Sequence, residues 1–214
     1  MSQILRKIYE FHHKGHRKQG FSVLKDERGE LLKKIIGEKK KILDLGCRDG
    51  ALTQYFLQNN EVWGVDIDKI SLTRAEKLGI KTVLMDLNHD WFKLKDLKFD
   101  VIIAGEVLEH LYFPECVLKR IVNCLKQDGL FLGSVPNAFS LKNRIRYLFA
   151  QKKFTPLGDP THINHFSYKE LEQILKKYFG EVKIMGFGKH QLLVKLNPNL
   201  FAFDLFFLCS RYLL

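Results

Sequence analysis

The chain has no uninterrupted apolar run of bilayer length, which excludes a spanning helix. Its most apolar stretch, Leu200-Phe201-Ala202-Phe203-Asp204-Leu205-Phe206-Phe207-Leu208-Cys209, is too short and is broken by Asp204, with Arg211 just beyond. The first residues carry charge from Arg6 onward and lack an apolar run, so no secretory signal is read there. Cysteine is scarce. Cys47, Cys116, Cys124 and Cys209 show no paired metal-ligand spacing, and a reducing, cytoplasmic compartment follows. Cys116 and Cys124 lie eight apart in a helical pattern and read as buried thiols. Internal repeats, low-complexity linkers and a separate RNA-binding module are all missing. Acids are the minority, 24 against 35 basic residues, for a net charge of +11. That balance favours anionic partners: nucleic acid, an acidic lipid surface or a phosphorylated small molecule. The lysines are dispersed (Lys33, Lys34, Lys39 to Lys41, Lys152, Lys153, Lys176, Lys177), as on solvated helix faces.

What is present is enough apolar residue, 46% of 214, for one substantial core. From Lys41 the chain alternates strand and helix. The patterns predict strands over 41–45, 61–66, 81–85, 99–104, 130–135, 181–187 and about 202–209. They predict helices over 51–58, 69–77, 114–125 and 167–179. Such alternation implies a parallel sheet covered on both faces. Residues 1–38 read as a basic, helical N-terminal cap, with Ile4, Leu5, Ile8 and Phe11, then Leu31, Leu32, Ile35 and Ile36, at helical spacing. His12 to Gly20 reads as irregular.

The most informative segment is Ile42-Leu43-Asp44-Leu45-Gly46-Cys47-Arg48-Asp49-Gly50-Ala51-Leu52-Thr53. It reads as a strand, a tight turn and a helix N-terminus whose N–H groups favour electronegative ligand atoms. Gly46 lets the backbone turn sharply and a ligand approach closely. The second strand ends in Asp66, twenty residues after Gly46, where a carboxylate can accept both hydroxyls of a ribose. The third ends in Asp86, and the fourth runs into Gly105-Glu106-Val107-Leu108-Glu109-His110-Leu111. Four acids at four successive strand ends, with a turn glycine at the first, point to one nucleoside-type ligand.

Over Lys40 to Asn137 these motifs resemble the class I S-adenosylmethionine (SAM) dependent methyltransferases of the methyltransferase-11-like type. The likeness extends to ubiquinone-pathway O-methyltransferases and to methionine-biosynthesis-associated methyltransferase-like proteins. The resemblance implies a Rossmann-like α/β fold: a seven-stranded, mostly parallel sheet with helices on both faces, an antiparallel edge strand and a helical lid insertion. The SAM-binding domain would cover 39–214, with the lid over 137–167. The resemblance places Gly46, Cys47 and Gly50 beneath the methionine portion of SAM, with Asp44 behind. It places Asp66 on the ribose hydroxyls, Ile67 against the adenine, Asp86 and Leu87 at the adenine edge, and Glu106 near the sulfonium. Arg48 stands where the family usually has glycine, and it either crowds the site or points outward.

The candidate catalytic residues are Glu109, His110 and His162, with His165 nearby in the segment Thr161-His162-Ile163-Asn164-His165-Phe166. Two resembling groups, the ubiquinone-pathway enzymes and the small-RNA 2′-O-methyltransferases, use such a set for a divalent ion. By that resemblance Glu106, Glu109, His110 and His162 would hold Mg²⁺ or Mn²⁺. Alternatively the strand-four segment is an ordinary helix start, and His110 or His162 serves as a metal-free base.

The leading functional expectation is O-methylation of a small molecule: a sugar, a lipid-linked precursor or a ring hydroxyl. Two alternatives stand beside it, an RNA methyltransferase supported by Lys142, Arg144, Arg146, Lys152 and Lys153, and a non-catalytic SAM-binding protein supported by Arg48. The apolar C-terminal stretch is read as a final buried strand. Its alternative is a peripheral contact with an acidic membrane surface.

Overall fold

A computed structural model describes residue 7 and residues 19–213. The expected helical pattern over Ile4–Phe11 and most of the irregular stretch after it lie outside the described residues. Among the described residues seven strands form one sheet: β1 (Lys41–Leu45), β2 (Glu61–Asp66), β3 (Lys81–Leu84), β4 (Phe99–Gly105), β5 (Leu125–Pro136), β6 (Phe179–Phe187) and β7 (Asp204–Tyr212). Their order is β3-β2-β1-β4-β5-β7-β6. β1 pairs with β2, and β2 with β3, in parallel, whereas β7 runs antiparallel to both β5 and β6. The antiparallel strand therefore sits one place in from the edge. Among the described residues no helix is long and apolar enough to cross a membrane.

The chain divides into two compact units, one running to Ile103 with residues 124–126, the other comprising Ala104–Asn123 and the chain from Gln127 onward. In the first unit, β1 and β2 are buried runs of Ile42, Leu43, Leu45, Val62 and Val65, as parallel strands covered on both faces require. Helix α1 (Lys25–Ile36) buries Arg28, Gly29, Leu32 and Ile36, one stripe at helical spacing. Gly29 is needed there, because a Cβ would lie 2.4 Å from the Tyr55 ring. Helix α2 (Lys69–Lys77) begins at Asp68, whose carboxylate accepts from the N–H groups of Ile70 and Ser71.

The helix expected over 51–58 does not form. Residues Thr53–Phe56 make a single 3-10 turn. The Thr53 hydroxyl is drawn to Asp44, and the Asn60 amide takes the Phe56 carbonyl, so the segment is closed at both ends before an α-helix can propagate.

The second unit contains α3 (Pro114–Cys124), α4 (Leu141–Leu148), α5 (Tyr168–Lys176), α6 (Gln191–Leu196) and α7 (Pro198–Phe201). Helix α5 opens with a full capping box between Ser167 and Glu170. The apolar C-terminal stretch is a core strand: Leu205, Phe206 and Phe207 are buried, and the segment pairs on both sides. From Asp204 onward this argues against the reading of a membrane contact, because the backbone there and Phe206 and Phe207 are already committed, while Phe203 just before the strand is exposed. Phe207 packs against Phe131, which stacks on Phe179. Gly133 makes the packing possible, since a Cβ would meet the Ala104 carbonyl at 2.3 Å and the Phe207 ring at 2.4 Å. Cys116 is exposed, contrary to expectation, whereas Cys124 is buried.

Candidate functional site

The first unit carries an acid-rich group at its strand ends. Gly46 (φ 69°) turns the chain after β1, and the Gly46 and Cys47 N–H groups both donate to the Val65 carbonyl at 2.8 and 3.1 Å. Gly50 (φ 78°) donates its N–H to the Cys47 carbonyl, and a Cβ there would lie 2.8 Å from Ile80. The turn lies tight on β2, since a Cβ at Gly64 would meet Cys47 Sγ at 2.6 Å. Arg48 occupies the left-handed region (φ 49°), which explains why a glycine suits this position. Its N–H donates to Asp66 Oδ2 at 2.9 Å, and its Nη1 donates to the Phe21 carbonyl at 2.9 Å. The guanidinium therefore ties down the preceding segment, a role reinforced by the Gly20 N–H on Asp49 Oδ2.

Asp44, Asp49, Asp66, Asp68 and Asp86 are all buried. Asp44 accepts from the Thr53 hydroxyl at 2.6 Å. Burial pushes its carboxyl up to about 7; the Thr53 hydrogen bond and the Arg28 charge oppose the rise, and Asp66 adds to it. Burial, with Asp44, Asp66 and Asp49 close by, also pushes the Cys47 thiol up. Asp66 accepts from the N–H groups of Arg48 and Asp68. Asp86 accepts from the backbone and side-chain nitrogens of Asn88 at 2.9 and 3.0 Å. Ile67 and Leu87, each beside one of these acids, are half-buried. Carboxylate oxygens have capacity for more than one donor. A buried acid group of this kind suits a ligand with hydroxyls and positive charge.

The second unit brings together Glu109, His110 and His162, with one ligand atom of each within 4.8 Å of the others. Glu109 and His110 lie on the 3-10 turn Leu108–His110 after β4. The segment carrying His162 is fastened to that turn. The N–H groups of Ile163 and Asn164 donate to the Glu109 carbonyl at 2.8 and 2.9 Å, and the Asn164 amide donates to the carbonyls of Leu108 and Leu111. His110 Nδ1 lies 2.9 Å from the Thr161 carbonyl, and His162 Nδ1 lies 3.2 Å from the Pro156 carbonyl. A carbonyl only accepts, so each contact places a proton on Nδ1 and leaves Nε2 as the reactive nitrogen. His110 Nε2 is 3.9 Å from Glu109 Oε1, and His162 Nε2 is 3.8 Å from Asp159 Oδ2. His165 stands further off, its ring centroid 6.5 Å from that of His162. Glu106 is not in this group. It holds the left-handed region (φ 60°) at the end of β4, and its Oε1 accepts from the Ser134 hydroxyl at 3.0 Å.

The strand order, with β7 antiparallel, is that of the class I SAM-dependent methyltransferase fold. The family described as "Methyltransferase domain" matches residues 16–178, and the chain belongs to it. A ubiquinone biosynthesis O-methyltransferase of Neisseria meningitidis serogroup C is 26% identical over 130 residues, covering 56% of this chain and 54% of that protein. One of Glaesserella parasuis is 32% identical over 133 residues, covering 58% and 56%. The chain thus spans about half the length of the curated relatives it matches. Among solved structures, a SAM-dependent methyltransferase from Archaeoglobus fulgidus superposes with TM-score 0.66 at 20% identity, covering 95% of this chain and 99% of that one. The N-methyltransferase NodS from Bradyrhizobium japonicum, bound to S-adenosylhomocysteine, gives 0.65 at 16%, covering 95% and 97%.

Sequence reasoning missed several residues that hold these groups. Arg28 is buried and its charge acts on Asp44; its place four residues before Leu32 on the buried stripe of α1 was a readable signal. Thr53, which donates to Asp44, and Asn164, which donates to the Leu108 and Leu111 carbonyls, gave no such signal, because nothing in their residue type announces those partners.

Proposed function

We propose that this domain transfers a methyl group to a hydroxyl of a small molecule, with the acids of the first unit holding SAM and His110 taking the acceptor's proton. SAM supplies a methyl group already activated on a positively charged sulfur. Asp66 would receive the ribose hydroxyls, Ile67 and Leu87 would pack on the base, and Asp86 would meet its edge. Asp44 and the turn from Gly46 through Cys47 to Gly50 would take the methionine portion, with Glu106 on the sulfonium side. The observation that carries the acceptor chemistry is the Thr161 carbonyl on His110 Nδ1, which fixes the tautomer with a basic Nε2. An amine acceptor can lose its proton to water, whereas a hydroxyl gains more from a positioned base. That preference agrees with the oxygen specificity named for the ubiquinone-pathway relatives.

The test is His110→Ala, assayed with SAM and a panel of phenols, catechols and sugars. SAM affinity measured by calorimetry is expected to persist while turnover is lost. Unchanged turnover overturns the assignment of the base.

A second reading places a divalent ion on Glu109, His110 and His162, a carboxylate and two imidazoles of suitable chemistry. Ligands bound at about 2.1 Å lie at most about 4.2 Å apart. The 3.9 Å between His110 Nε2 and Glu109 Oε1 meets that limit, but the 4.8 Å span of the group requires a contraction. The metal-free base is therefore preferred. Activity that vanishes on chelation and returns with Mg²⁺ or Mn²⁺ would reverse the preference.

A further inference from the structure

Helix α4 has the reverse of the usual arrangement: none of its residues is buried, and its apolar side faces solvent. Leu141, Ile145 and Leu148 are all exposed and fall at i, i+4 and i+7, one stripe along the helix. The helix is held from the other side. The Asn143 amide donates to the Asn137 carbonyl at 3.0 Å, and the Tyr147 hydroxyl donates to the Ala138 carbonyl at 2.9 Å. Lys142 and Arg144 flank the stripe at about 100° of helical rotation per residue. The stripe continues into the following loop. Arg146 Nη1 donates to the carbonyls of Lys153 and Phe154, which fixes the loop with the Phe154 ring outward. Leu148, Phe149 and Phe154 are 82%, 72% and 83% exposed. Helix α7 packs against both α4 and α6, and α6 adds Leu192 and Leu196 at 85% and 80% exposure.

Charge completes the pattern. Residues 129–158 contain no Asp or Glu, while they carry Lys142, Arg144, Arg146, Lys152 and Lys153. Residues 182–203 likewise contain no acid and carry Lys183, Lys189 and Lys195. Clustered exposed leucines and phenylalanines are costly in water unless something covers them. An RNA partner would use the basic residues and could stack on Phe149 or Phe154, but it offers nothing to an aliphatic stripe. An apolar stripe flanked by Lys and Arg is the pattern of a helix lying in the headgroup layer of an anionic membrane.

We propose that α4 and its following loop form a docking face for an acidic lipid surface, with Leu141, Ile145, Leu148, Phe149 and Phe154 entering the acyl boundary and the adjacent lysines and arginines meeting the headgroups. The proposal is independent of the catalytic reading.

Flotation of the full-length protein on vesicles tests it. The protein is expected to float with phosphatidylcholine vesicles containing about one third phosphatidylserine and to stay behind with phosphatidylcholine alone. Ile145→Glu with Leu148→Glu should lower the partition at least about tenfold, since two buried aliphatic side chains are lost. Lys152→Gln and Lys153→Gln should each lower it about fivefold. Unchanged circular dichroism and Tm would show that these surface variants remain folded. Failure of the wild-type protein to float overturns the proposal, as does flotation indifferent to Ile145→Glu with Leu148→Glu. So does a dimer that Leu148→Glu dissolves without any vesicle binding, or retention on RNA at physiological salt in place of flotation.

Discussion

The acid group of the first unit and the Glu–His group of the second are built in opposite ways. Asp44, Asp66 and Asp86 close successive parallel strands and organise the turns beside them, each accepting from a residue within eighteen positions. Glu109 and His110 are instead joined to Thr161, Ile163 and Asn164 across more than fifty positions of chain. The first arrangement is local and follows from a repeating strand–turn pattern. The second depends on backbone carbonyls that orient imidazole rings from afar. Carboxylates at strand ends can thus be placed by topology alone, whereas holding an imidazole in one tautomer takes a second segment of chain to enforce it.

The largest expected effect breaks the second group. Removing a positioned general base typically costs about 10²- to 10⁴-fold in rate, and His110→Ala should fall in that range with unchanged SAM affinity. Turnover and calorimetry on the same preparation check it.

The next effect belongs to the first group. The Asp44 carboxyl is raised from 3.8 to about 7 by burial, so the folded protein binds a proton that the unfolded chain releases. The sign follows: stability from Asp44 is greatest below about pH 4, falls between pH 4 and 7, and is flat above 7. The change is on the order of a few kcal/mol. Tm measured from pH 4 to 8 should show the decline, and Asp44→Asn should flatten it. A cationic ligand beside Asp44 favours the ionised carboxylate, so SAM affinity should weaken as pH drops below about 7 and SAM binding there should release a proton. Calorimetry in buffers of different ionisation enthalpy reads that proton.

A smaller effect sharpens the contrast. Asn164→Ala removes two side-chain hydrogen bonds to the Leu108 and Leu111 carbonyls and should cost about 1–3 kcal/mol in denaturant unfolding. Its effect on turnover should exceed its effect on SAM affinity, because the loosened segment carries the Thr161 carbonyl. The smallest effect is Arg48→Gly. It relieves a left-handed arginine worth about 1–2 kcal/mol but loses the bond to Phe21, leaving a net change within about 1 kcal/mol.

The same division governed what could be read from the chain. The strand ends at Leu45 and Asp66 were legible because each apolar run closes around an acid, and α2 was legible from its helical pattern over 69–77, with Asp68 capping it in the structure. β5 begins five residues before its apolar run, since Lys126, Gln127 and Asp128 look like a turn although they pair as strand. The helix after Gly50 was misread because side-chain bonds from Thr53 and Asn60 override an apolar period. The Glu–His group was visible as residue types, but the carbonyls that orient it belong to no residue type. Arg48 was recognised as unusual, and its geometry then gave it a tethering task that the sequence alone left open.

The placement of β7 bears on how the protein is made. The strand that joins β5 to β6 is synthesised after both of them. While the nascent chain is still short of Asp204, β5 presents an open row of backbone donors and acceptors beside Phe131 and Leu132, and β6 has no sheet to join. An unprotected edge of that kind invites pairing with other chains. Completion of this half of the molecule therefore waits for β7, and a chaperone that shields β5 until Tyr212 has emerged should raise the yield of folded protein more than one that releases it earlier.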